Sequence, residues 1–195
     1  METTIAKAKE FVRDAFVNAD KAHDYYHAIR VYNNAKTIIE ESEEFTEIVN
    51  AEIVLLSALL HDLNDTKVFS NDIMLDIWFK NEPSEYENDI RKVISEVSFS
   101  KGIKATTIES MIVQDADRLD AIGAVGIARV FTYGGAIGRP IYSDVEPTSM
   151  EHFNQKLFKI KDKMNTKSGK RIAEERNRFM QDFVTEFWRE VGGED

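Results

Sequence analysis

The residues best equipped for chemistry are His61 and Asp62, which close the apolar run Ile53-Val54-Leu55-Leu56-Ser57-Ala58-Leu59-Leu60. Such a run reads as a buried helix. An imidazole and a carboxylate at its end are costly to desolvate unless each finds a partner. The pair can hold transferable protons or ligate a metal; Asp62 can instead make the turn bonds aspartate often makes at a helix end. Adjacent helical residues point about 100° apart, so both reach one ion only where a helix terminus lets the backbone bend.

Two other stretches carry comparable groups. His23-Asp24-Tyr25-Tyr26-His27 places two imidazoles four residues apart, sharing a face if the helix already includes residue 23. If Asp24 is the cap, only His27 has a fixed helical direction, and His23 is left with a cap or core hydrogen bond. Val113-Gln114-Asp115-Ala116-Asp117-Arg118-Leu119-Asp120 brings three carboxylates into a segment otherwise bound for the core. Asp115 suits a helix cap, which leaves Asp117 as a ligand candidate in the first turn, and Arg118 suits orienting a carboxylate as well as holding substrate. Asp65 lies in reach of Asp62 to orient a water. Lys67 suits a phosphate oxygen or plain solvation. With no cysteine in the chain, any metal is held by imidazole and carboxylate, a set that suits Mn, Fe, Ni or Zn. Such an ion acidifies a bound water and neutralises phosphate oxygens, and a nearby carboxylate moves the proton.

Helices must position these groups, since helical spacing dominates and no convincing period-2 strand appears. The rhythm predicts helices over 5–17, from Asp20 or Asp24 to about 41, and from Thr46 to the His61-Asp62 pair. Further helices are expected over 71–79, 85–95, 104–114 and 117–131, then 148–163 and 169–191. Between them, 133–147 reads as the longest irregular stretch, with glycines that would let it move over a pocket or serve as an inert connection. His152 follows it and either points to the site or packs. The side formed by Phe179, Phe183 and Phe187 reads as core or as the contact of a homodimer. One all-α, compact single-domain helical bundle over 1–195 is expected, with a metal-binding core about 20–131 and C-terminal helices about 148–191.

Composition bounds the function. The chain has 195 residues, 43% hydrophobic and 31% charged, as expected of one globular core. A formal charge of -10 argues against a nucleic-acid partner, because phosphate backbones are held by basic residues. A small anionic phosphate substrate stays compatible where metal or local lysine and arginine offset that field. The longest apolar stretch, 53–60, is far below membrane-spanning length, and the start shows no signal-peptide core. The expectation is a cytoplasmic protein with no membrane partner.

The order His27, His61-Asp62, Asp117 resembles the metal-dependent HD-domain phosphohydrolases, whose pattern is His, His-Asp, Asp. The segments His23 to Val31, His61 to Lys67 and Gln114 to Ala124 are similar to a bacterial single-domain HD subfamily. So are Tyr133-Gly134-Gly135 and the stretch from His152-Phe153 through Lys156-Leu157 to Met164-Asn165-Thr166. The resemblance implies that His27, His61, Asp62 and Asp117 ligate one divalent metal: Mn, Ni, Co, Fe or Zn, with Mg also compatible. It implies that Asp65 activates water and that His23, Arg30, Lys67 and Arg118 contact phosphate or support the site; Lys67, placed for a phosphate oxygen, is the second catalytic candidate, and Tyr133 and Arg139 of the glycine-containing stretch are candidates for contacting substrate. It further implies hydrolysis of a nucleotide or small phosphate ester, with nucleoside triphosphate pyrophosphohydrolase, phosphomonoesterase and 5'-nucleotidase activities in range. One departure is informative: the family's His-Asp-x-Gly-Lys form is replaced by His61-Asp62-Leu63-Asn64-Asp65-Thr66-Lys67, which counts against cyclic-dinucleotide hydrolysis. A catalytically weak metal- and nucleotide-binding regulatory module is the alternative. An oxygen-using di-iron relative stays open as a further class, and it would need additional metal-binding side chains that the sequence does not place.

Overall fold

The computed structural model describes residues 1–18, 25–42, 48–63, 73–97 and 103–192, and among them all regular structure is helical. The chain divides into two compact units, Met1–Asp117 and Arg118–Asp195.

In the first unit, α1 (Glu2–Ala15), α2 (Tyr25–Glu40) and α5 (Glu87–Val97) pack around α3 (Ala51–Leu60). The centre falls to α3 because it is apolar on every side: each residue from Ile53 to Leu60 is buried, as expected of a helix without a polar face. Each large aliphatic side chain removed from water there contributes about 1.5–3 kcal/mol. The neighbours are amphipathic. Ile5, Ala8 and Val12 form the inward stripe of α1, and His27, Ala28, Val31, Asn34, Ala35 and Ile38 that of α2. Helix α4 (Met74–Asn81) adds Leu75, Trp78 and Phe79, with Trp78 against Phe11 at 5.4 Å between ring centroids.

Helix α3 begins at Ala51 because the Asn50 side chain accepts from the Glu52 and Ile53 amides at 3.0 and 3.3 Å. The expected start at Thr46 lies outside the described residues, as do Asp20 and Asp24. The Asn50 amide donates to Glu109 of α6 (Ile108–Asp120) at 3.2 Å.

Helix α6 corrects the expected break between 114 and 117. It runs unbroken through Asp115, which is wholly buried inside it and is not its N-cap. Ile112, Val113, Ala116 and Leu119, all at 0% exposure, form one apolar stripe across the expected boundary. Gln114, also buried, donates to the carbonyls of Glu96 and Ile103 at 2.6 and 2.9 Å, so the polar side chain is satisfied without ending the helix. The break falls at Ile122, which is extended (φ -129°, ψ 170°), followed by Gly123 at φ +76°.

In the second unit, α7 (Gly123–Ala136) packs on α9 (Lys167–Val191). Tyr133-Gly134-Gly135, expected in an irregular stretch, is the last part of α7. Gly134 is needed there for close approach and makes no turn: a Cβ would collide with Ser149 Oγ. The irregular stretch is therefore shorter, beginning at Ile137. The single helix expected over 148–163 is instead α8 (Glu151–Gln155) and two one-turn 3-10 segments, Leu157–Lys159 and Lys161–Lys163, interrupted at Lys156 (φ -133°, ψ -55°). On α9, Phe183 packs against Phe131 and Phe153, both at 5.9 Å between centroids, while Phe179 is exposed. No helix among the described residues is long and apolar enough to cross a membrane.

Candidate metal centre

Three helices of the first unit deliver the site. Helix α2 carries His27 on its inward stripe, α3 carries His61 as its C-terminal cap with Asp62 directly after, and α6 carries Asp117. His27, His61 and Asp62 are buried and Asp117 is half-buried.

The ring of His61 is set by its own helix. Its Nδ1 lies 2.9 Å from the Ala58 carbonyl oxygen. A carbonyl only accepts, so Nδ1 carries a proton and donates, and Nε2 is turned into the site. That Nε2 is buried and has no hydrogen-bond partner. It faces Asp62 Oδ1 at 3.2 Å and Asp117 Oδ1 at 3.9 Å, while His27 Nε2 lies 3.4 Å from both Asp62 Oδ2 and Asp117 Oδ1. The two imidazole rings meet edge to face, 5.2 Å apart.

Two arrangements can be compared with these separations. Charge-assisted hydrogen bonds between imidazolium and carboxylate close to about 2.7–2.9 Å. Four ligands at about 2.1 Å from one ion stand roughly 3.4 Å apart. The 3.2 and 3.4 Å spacings are closer to the second arrangement than to the first. One atom each from His27, His61 and Asp117 lies within 4.8 Å of the others, and Asp62 divides its oxygens between the two imidazoles. The donor set fits a divalent transition metal held by nitrogen and oxygen.

A residue absent from the sequence candidates supports this arrangement. Asn34, two turns beyond His27 on the same stripe of α2, donates its Nδ2 to the Ala116 carbonyl at 2.9 Å. Its signal in the sequence is a polar side chain at a position that the helical period assigns to the core.

The other expected residues are distributed differently. Arg30 is half-buried on α2, one turn past His27. In the second unit, Arg118 donates from Nη1 to the Lys163 carbonyl at 2.6 Å, Tyr133 is exposed on α7, and the Arg139 amide donates to the Gly134 carbonyl at 2.8 Å. His152 is held below the ordinary imidazole range by its burial and by the positive charges of Lys156 and Arg139. His23, Asp65 and Lys67 lie outside the described residues.

Residues 24–122 match the family model described as HD domain. The Bacillus subtilis protein YpgQ is 36% identical over 96% of this chain and 93% of its own length. A solved HD-superfamily hydrolase from Bacillus thuringiensis is 36% identical, covers 99% of both chains and superimposes with a TM-score of 0.82. The crystal structure of YpgQ in complex with ADP is 31% identical over 97% of this chain and 95% of that one, with a TM-score of 0.79.

Proposed function

The chain belongs to the HD domain family, and from that premise we propose that it is a metal-dependent phosphohydrolase acting on nucleotides. The observation that carries the reading is the buried, unpartnered His61 Nε2 facing Asp62 at 3.2 Å, within a donor set spaced for one ion. His27, His61, Asp62 and Asp117 would hold the metal, with Mn, Ni, Co, Fe and Zn suited to the donors. When bound, a divalent ion lowers the pKa of a coordinated water and offsets the charge of phosphate oxygens.

The chain's own residues supply the remainder. Asp65, three positions past Asp62, would orient the attacking water and take up its proton. Lys67, Arg30 and His23 would hold phosphoryl oxygens. Water adds to phosphorus, the P–O bond to the leaving group breaks, and the leaving oxygen departs as phosphate, pyrophosphate or an alcohol. ADP in the related YpgQ structure favours a nucleotide over other phosphate esters. Cleavage of a nucleoside triphosphate to monophosphate and pyrophosphate is the specific reaction we favour. We also propose that 1–195 works as one HD domain.

The test is a panel of nucleoside mono-, di- and triphosphates with Mn, Ni, Co or Mg, in which phosphate and pyrophosphate are read separately. Pyrophosphate from triphosphates is the expected product. Phosphate from monophosphates would move the assignment to a 5'-nucleotidase. No turnover across the panel would overturn the hydrolytic reading in favour of a binding module.

A further inference from the structure

The first turn of α2 presents two tyrosines with different fates. Tyr25 is held in place: Arg13 of α1 donates from Nη2 to its hydroxyl at 3.0 Å, and the guanidinium carbon lies 4.9 Å from the ring centroid. Tyr26 makes an edge contact on Tyr25 (centroids 5.4 Å apart, planes at 66°) and keeps 66% of its surface exposed. It is followed directly by His27, which is 6% exposed. A single exposed aromatic side chain is ordinary on a protein surface. This one is distinguished by being buttressed by a fixed neighbour and joined through one peptide unit to a ligand of the candidate metal centre.

Helical geometry relates the two positions. From Tyr26, His27 is turned by about 100° and Arg30 by about 40° in the same sense, so Arg30 lies between the exposed ring and the imidazole on the surface of α2. A molecule with phosphate at one end and a planar ring at the other can place the phosphate towards His27, pass Arg30 and lay its ring on Tyr26. A neutral aromatic surface also suits an anionic ligand on a chain of formal charge -10 better than an acidic rim would.

Resting on the nucleotide reading above, we propose that Tyr26 is the stacking surface for the nucleobase. Every base has a π-face, so recognition through Tyr26 is tolerant of base identity and favours the larger purines over pyrimidines. The substrate class is then nucleotides in general, selected by phosphate and metal, with the base adding affinity and little discrimination.

The test is calorimetric titration with Mn present, using ADP and inorganic pyrophosphate, which carries two phosphates but no base. Wild type, Tyr26→Phe and Tyr26→Ala are compared, with melting curves as the check on folding. The expected result is a loss of about ten-fold in ADP affinity for Tyr26→Ala, retention within about two-fold for Tyr26→Phe, and unchanged pyrophosphate affinity in both. Unchanged ADP affinity in Tyr26→Ala, or an equal loss for pyrophosphate, would overturn the assignment. So would failure of the wild-type chain to bind ADP at all. Binding with this pattern but without turnover would support the stacking role while striking the hydrolytic reading alone.

Discussion

The side-chain amide of Asn34 donates to the carbonyl of Ala116, so the residue directly before Asp117 is tied to the helix that carries His27. Two candidate ligands from distant parts of the sequence are thereby spaced by a neutral hydrogen bond that touches neither. Asn34→Ala should lower stability by about 1 kcal/mol, the net worth of such a bond. It should also weaken metal binding, because α2 and α6 lose a fixed separation. Denaturant unfolding and metal titration on the same variant check this; unchanged metal affinity would reduce Asn34 to a packing role.

Removing a ligand acts more severely. His61→Ala and Asp117→Ala should each abolish retention of a transition metal through purification, read by elemental analysis. Chelation of the wild-type protein should lower its melting temperature. Saturation at a hundred times the dissociation constant corresponds to about 2.7 kcal/mol of stabilisation, which the chelated protein would lose. Full metal occupancy in both variants would remove these side chains from the site.

Asp65→Asn should separate holding the ion from using it. The amide keeps the size of the side chain but cannot accept a proton, so hydrolysis should fall by about 10²–10⁴-fold with metal content intact. A wild-type rate in this variant would take Asp65 out of the reaction.

The junction that starts α6 should respond to acid. Burial pushes the Glu96 carboxyl up, but the Thr106 hydroxyl and amide, donating at 2.7 and 2.9 Å, outweigh it and hold the group below the ordinary carboxylate range. A carboxylate with a depressed folded pKa contributes stability that is complete above its unfolded value and disappears as pH falls through the folded one. Glu96→Gln should therefore be less stable than wild type at neutral pH and lose less stability on acidification. Melting temperatures followed from neutral pH into the acid range check this, and parallel curves for the two proteins would refute it.

Periodicity was most informative where one physical demand dominated. Ile53 to Leu60 could only be buried, and the stripe of α2 had a single apolar side. It was least informative where a residue type serves two purposes. Asp115 suggested a helix start because aspartate favours caps in isolated segments; in the folded unit, the surrounding apolar stripe keeps it inside α6. Gly134 suggested a turn because glycine permits unusual dihedrals, yet its value lies in the missing Cβ that lets Ser149 approach. The His61 tautomer could not be read from the sequence, because it depends on where the Ala58 carbonyl points. The role of Asn34 is not legible in the sequence for a related reason: its partner is a backbone atom far away in the chain.

The placement of the candidate ligands on α2, at the end of α3 and on α6 also has a consequence for the order of events when the chain is made. His27, His61 and Asp62 emerge early, but the last oxygen arrives only with Asp117, after every other helix of the first unit has been synthesised. An ion at this centre would close two long stretches of chain at one point, contacts whose entropic cost falls due before their reward. Metal capture would thus be a late step, waiting on the docking of α6, and the same ion would afterwards act as a reversible staple across the folded unit.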